Sequence, residues 1–226
     1  LASVSLQICG SSAGFSYRMN GLPPAEGFAM GAVIASLCSE VRRCRVCAEH
    51  LPHGVRPVIQ FGGGARLVII GQAPGARVHA SGVAWQDDSG VRLRDWIGLD
   101  PLKFYDAQSV ALMPMGFCYP GTAKGADLPP RLECAPLWHD RLLAVLPPRR
   151  LTLLVGMHAQ GRYLASERRK TLTDTVRNFR DYLPAYFPLP HPSWRSTGWM
   201  KRNPWFETEV IPDLRTAVGA AVRKRV

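Results

Sequence analysis

The sequence predicts an α/β fold, a three-layer α/β/α sandwich around a central, mostly parallel four-stranded sheet. Three observations carry that prediction. Short, wholly apolar runs of strand length recur along the chain, segments with helical spacing of apolar residues separate them, and tight Gly- or Pro-containing loops follow two of the runs directly. Strands that are apolar throughout and alternate with helices belong in a parallel sheet covered on both faces.

Taken in order, the first thirty residues mix Gly, Ser, Pro and Ala without periodicity and read as a flexible or extended segment, leaving residues 31–226 as a single domain. From Met30 to Arg43, Val33, Ile34, Leu37, Cys38 and Val41 recur at helical spacing, and Cys44 and Cys47 follow at once, so a helix delivers the first cysteine pair. Arg66–Ile70 reads as a buried strand running into Gly71-Gln72-Ala73-Pro74-Gly75. Ser109–Met113, Leu151–Val155 and Ala185–Leu189 are the further strands. A helix over Leu132–Leu146 precedes the third strand and another begins near Met157. Pro204 suits the first turn of a last helix reaching about Val222.

With 226 residues and 46% hydrophobic content, the chain is long enough to bury one sizeable core. No apolar stretch approaches the roughly 18–20 residues that span a bilayer, and no charged n-region with an apolar h-region opens the chain, so no membrane partner and a cytoplasmic, nucleoid-associated location are expected. Against 28 Lys plus Arg stand 17 Asp plus Glu, a formal charge of +11 that favours a polyanion such as nucleic acid. A basic surface without a specific ligand is the alternative. Between Arg162 and Arg180 a basic run reads either as a phosphate-facing strip or as a solvated face.

Ligands of open parallel sheets bind beyond the carboxyl ends of the strands, and the loops at 71–75 and 191–195 both follow strands, so the two are expected to converge on one pocket. Gly71 and Gly75 allow close backbone approach and Pro74 stiffens the turn. His191 is flanked by two prolines, a setting that fixes an imidazole as donor or acid. Around it Arg195, Lys201 and Arg202 interleave with Trp194, Trp199, Trp205 and Phe206. Cations find phosphates and aromatic faces stack on bases, although Trp205 and Phe206 read as core. The cysteines, in a chain too long to need disulfide staples, read better as ligands.

Taken together, Gly71-Gln72-Ala73-Pro74-Gly75, then Gly82-Val83-Ala84-Trp85, then His191-Pro192-Ser193 resemble the motifs of the uracil-DNA glycosylase superfamily over roughly residues 35–218. The match is nearest the iron–sulfur families 4 and 5, whose first motif usually reads GEAPG or GLAPA and whose last begins HPS. Cys44, Cys47, Cys118 and Cys134 are similar to the four ligands by which those families hold a [4Fe-4S] cluster. Zinc and buried free thiols are the alternatives for that set, and Cys9 and Cys38 have no counterpart.

The resemblance implies a monomeric, monofunctional hydrolase that flips uracil out of DNA, breaks its N-glycosidic bond and leaves an abasic site. Trp85 is expected to stack on the flipped base, His191 to donate to uracil O2, and the loop Gly71, Ala73, Pro74 and Gly75 to hold the base. Ser193, Trp194, Arg195, Trp199, Lys201 and Arg202 are expected on DNA, with Arg195 at the usual wedge position. No lysine stands in a context that suggests a lyase nucleophile. Two departures bear on mechanism. Gln72 stands where family 4 has Glu, so it orients water at most, and Asp88, ahead of Asp87, is the expected activating carboxylate, with a plain surface turn over these residues as the alternative. Pro114 stands where an Asn usually reads the uracil edge, which leaves backbone groups around Met113–Gly116, Met115 among them, another polar side chain, or an altered base preference. A protein that binds uracil or abasic DNA with little turnover is the second reading.

Overall fold

A computed structural model describes residues 25–123 and 125–223 of the chain. In order they form α1 (Ala25–Arg43), β1 (Leu67–Ile70), α2 (Ala76–Ser81), α3 (Asp88–Ile97), α4 (Pro101–Phe104), β2 (Val110–Leu112), β3 (Thr122–Ala123), β4 (Ala126–Asp127), α5 (Cys134–Ala144), β5 (Leu151–Val155), α6 (Met157–Leu164), α7 (Leu172–Arg177), β6 (Tyr186–Leu189), α8 (Ser196–Arg202) and α9 (Ile211–Val222). The central sheet has the order β2-β1-β5-β6 and every pairing in it is parallel, with Leu67 opposite both Val110 and Leu151. A separate antiparallel hairpin pairs β3 with β4.

The apolar strands divide by parity, as a pleat of period two requires. Leu67, Ile69, Leu153, Val155, Phe187 and Leu189 meet Leu93, Trp96 and Ile97 of α3 and Leu214 and Val218 of α9. Val68, Ile70 and Leu154 point the other way, onto Ile34, Leu37 and Val41 of α1, Trp138 and Leu142 of α5 and Ala159 of α6. Both faces are therefore covered, which is why the strands carry no polar alternation, and the molecule is the expected three-layer α/β/α sandwich.

Two boundaries differ from expectation. The first helix begins at Ala25, inside the stretch expected to be flexible, and residues 1–24 of that stretch lie outside the described residues. The last helix opens at Trp205 with a π-helical turn over Phe206–Val210 before α9, so it is wider at its start than an ideal helix. The basic run at 162–180 is a surface laced with ion pairs rather than a free strip. Arg169 meets Asp181 and Arg180 meets Asp213, each at 2.6 Å, while Arg177 lies over the Trp205 ring.

Candidate active site

From β1 the chain crosses to β2 on one side, whereas β5, its other neighbour, leads on to β6. The carboxyl ends of β1 and β5 thus flank the point at which the strand order reverses, where a crevice opens in folds of this type. Gly71 leaves β1, Gly156 leaves β5 and His191 follows β6. These residues meet around one indole. A Cβ added to Gly71 would stand 2.7 Å from Cζ2 of Trp85, and one added to Gly156 would lie 3.6 Å from His191 Cβ. The Trp85 and His191 rings stack with centroids 5.9 Å apart and planes 29° apart. The first loop and the imidazole, 120 residues apart in sequence, share one crevice.

Helix α3 organises this contact. Trp85 has φ of 58°, in the left-handed region that a bulky residue rarely adopts. Its carbonyl accepts from Arg94 Nη1 at 3.3 Å and from Tyr105 Oη at 3.4 Å. Gly90 is required beneath it, since a Cβ there would fall 1.7 Å from the Trp85 oxygen. Arg92, on the same helix, donates to the Ser193 carbonyl at 2.5 Å, and Ser196 Oγ donates to the His191 carbonyl. One helix therefore fixes the aromatic residue and the histidine loop together.

Burial lowers the pKa of His191, with Asp87 pulling it upward, so the imidazole is held neutral near pH 7 and is available as a hydrogen-bond donor at one nitrogen. The two candidate carboxylates separate cleanly. Asp88 is 92% exposed at its side chain and pairs with Arg77 at 3.0 Å, away from the imidazole. Asp87 is half-buried, and its side chain caps α3 by accepting from Gly90 N at 2.8 Å. These residues are thus a helix start rather than a plain surface turn. A third acid, Asp127 on β4, escapes sequence reasoning because a two-residue strand in a Gly-rich loop carries no periodicity. Its carboxylate lies 3.4 Å from a Cβ placed on Gly75, and partial burial with Asp87 nearby raises its pKa against the pull of Arg195. Gln72 is half-buried and donates over a long 3.4 Å to the Leu128 carbonyl.

Residues 113–117 form the neighbouring wall, and all their amide hydrogens are engaged. Met113 donates to Ile69 O at 2.9 Å, Met115 to Gly71 O at 2.9 Å and Gly116 to Gln72 O at 3.0 Å. Phe117 N donates to Cys134 Sγ at 3.3 Å, and Pro114 has no N–H. Met115 is therefore brought to the first loop, but its amide is spent on Gly71.

Among the residues expected on DNA, Trp194 is 75% exposed with the Arg195 guanidinium 5.4 Å over its ring, and Arg195 reaches Gly125 O at 3.4 Å. Ser193 is half-buried beside them, and Lys201 and Arg202 are exposed in the last turn of α8. Trp199 is not brought to this surface. Its ring packs edge-on against Trp205 and Phe206 and its Nε1 donates to Thr173 Oγ1 at 2.9 Å, so it anchors α8 to the core.

The four cysteines come together from three chain segments. Cys44 and Cys47 lie just beyond α1 in a short turn, Cys118 packs with Cys47 and Leu51 in one small apolar cluster, and Cys134 opens α5 and accepts from the amide next to Cys118. Burial raises the Cys118 thiol to about 11 and Cys134 to about 12, and the neighbouring thiols add to both shifts. Among the described residues no three His, Cys, Asp or Glu side chains lie close enough to chelate a single metal ion. Cys38 is buried in the core face of α1.

The model of the uracil DNA glycosylase superfamily matches residues 59–215, well over half of the chain and every element of the crevice. Cys44 and Cys47 precede that span. The chain belongs to the uracil DNA glycosylase superfamily, whose fold and glycosylase-type chemistry the crevice around His191 fits.

Proposed function

We propose that this protein excises uracil from DNA, water adding to C1′ of the sugar as the base leaves with the proton. The single observation that carries the reading is the stacked Trp85–His191 pair closed against Gly71. A base turned out of the helix would lie on the indole face, and its carbonyl oxygen, negative as the bond breaks, would take a hydrogen bond from the neutral imidazole. Loop residues 71–75 would hold the base from the β1 side. Asp87, rather than Asp88, would orient and deprotonate the water, with Asp127 beside it and Gln72 as a positioning amide. Trp194 and Arg195, exposed together at the rim, suit the gap left by the base, and Ser193, Lys201 and Arg202 suit the flanking phosphates. The protein would act as a monomer on nucleoid DNA.

Cys44, Cys47, Cys118 and Cys134 would hold a [4Fe-4S] cluster. Bound there, the cluster would cross-link the end of α1 to the loop after β2 and to α5, a structural task, since glycosidic hydrolysis moves no electron. What supports this reading is the chemistry of the donor set: four soft thiols, two of them in one small apolar cluster and a third hydrogen-bonded to a backbone amide.

The test uses a uracil-containing oligonucleotide followed by alkali, with iron analysis of the same anaerobic preparation. Alkali-labile breaks at uracil are expected, with about four irons per chain, and His191→Ala is expected to lower turnover about a hundredfold or more while leaving DNA affinity nearly unchanged. A mobility shift without breaks would favour the binding reading instead, which the Gln72 amide in place of a carboxylate motivates. Zinc in place of iron would remove the cluster.

A further inference from the structure

We propose that His139, which touches neither base nor sugar, is a positioning residue for base selection: clamped between Tyr163 and the Pro114 carbonyl, it fixes residues 113–117 so that a backbone carbonyl among them meets ring nitrogen N3 of the flipped base as an acceptor. The proposal deepens the excision reading and rests on it.

His139 lies on α5 and is completely buried. Its Nε2 is 3.0 Å from Pro114 O and its Nδ1 is 2.7 Å from Tyr163 Oη on α6. A carbonyl can only accept, so Nε2 carries the proton, Nδ1 is the acceptor and the tyrosine hydroxyl donates to it. Burial keeps both partners in these states, lowering His139 to about 4 and raising Tyr163. The imidazole also lies parallel to the Phe117 ring, at 5.6 Å and 15°. It thus grips the wall segment at Pro114 and at Phe117, while the carbonyls of Ile69, Gly71 and Gln72 accept from its amides.

The chemistry that follows is specific. With the amides of Met113, Met115, Gly116 and Phe117 all engaged, Pro114 lacking one, Pro114 O taken by His139 and Phe117 O by Val58 N, the polarity left in a segment of Met, Pro, Met, Gly and Phe is the carbonyl oxygen of Met113, Met115 and Gly116. An acceptor there suits a ring N–H, which uracil carries at N3, and repels a ring nitrogen lone pair, which cytosine carries at the same atom. A site built on such a pairing rejects the analogue that lacks it far better than one built on shape. Pro114, which cannot supply the usual amide side chain, is tolerable because this rigid backbone does the discriminating.

The test compares His139→Leu, Tyr163→Phe and His139→Gln with the unaltered protein, measuring single-turnover release of uracil and of cytosine from matched oligonucleotides, affinity for an abasic duplex, and Tm. His139→Leu is expected to lower the uracil-over-cytosine ratio at least tenfold, and Tyr163→Phe, which frees the wrong tautomer, severalfold. His139→Gln should restore the ratio, because its amide nitrogen can donate to Pro114 O. Abasic-DNA affinity, which involves no base, should stay within about twofold throughout. Should His139→Leu not fold, Tyr163→Phe carries the test alone. Lower Tm with an unchanged ratio would reduce His139 to a packing residue and overturn the inference while leaving the excision reading standing. Absence of uracil release by the unaltered protein would overturn both.

Discussion

Asp87 shows how one residue serves two tasks that a mutation can separate. Its carboxylate caps α3 through Gly90 N, and its charge also reaches the half-buried His191. Asparagine caps a helix about as well as aspartate, so Asp87→Asn keeps the cap and removes only the charge and the potential base. If that carboxylate activates water, Asp87→Asn lowers single-turnover uracil release about a hundredfold at unchanged Tm, the usual worth of a positioned base. Asp88→Asn removes only an exposed pair with Arg77 and should leave the rate within about twofold. The reverse order, or equal losses, would return the role to Asp88. The sequence offers both acids without a means to choose, since adjacent residues at a helix start point in different directions and the start itself is not readable. It brings Gly71 and His191 together as loops that follow strands, and Trp85 with them through its motif. It cannot reveal Asp127, which long-range packing brings to the first loop, or His139 and Tyr163, which the same packing sets behind residues 113–117.

At the scale of elements, legibility follows length and burial. All four sheet strands are legible within about a residue, because a strand covered on both faces must be apolar throughout, and Leu151–Val155 is legible to the residue. The short helices α2, α4 and α7 span too few turns to show a helical period. The most consequential omission is α3, whose ten residues mix a core face with the groups that hold the site. Arg94 supports Trp85 and Arg92 supports the histidine loop, and Gly90 lets the helix approach the Trp85 carbonyl. Gly90→Ala is therefore expected to force the Trp85 peptide out of its left-handed conformation. Tryptophan fluorescence should shift, uracil release should fall at least tenfold, and abasic-DNA affinity should fall less. An alanine variant with native fluorescence and full activity would show that α3 has room to retreat, and the helix would lose its organising role.

Over the whole molecule, charge and shape act in different places. The chain carries a net charge of +11, yet the crevice holds acids and a neutral imidazole among its arginines. Several arginines of the 162–180 run are committed to Asp181, Asp213 and the Trp205 ring. About α8 and the loop before it Arg195, Lys201 and Arg202 stand exposed beside Trp194. If these cations hold the backbone while the crevice holds the base, salt and base identity become independent variables. Log affinity for duplex DNA should fall with log salt by roughly 0.9 for each phosphate neutralised. The double variant Lys201→Ala, Arg202→Ala should lower that slope by up to about two, roughly one for each phosphate no longer neutralised, for uracil-containing and ordinary duplexes alike. The single-turnover rate at saturating protein should stay nearly unchanged. A slope unaffected by the double variant would move the DNA track away from α8, and a rate that fell with it would tie those cations to the chemistry rather than to the grip.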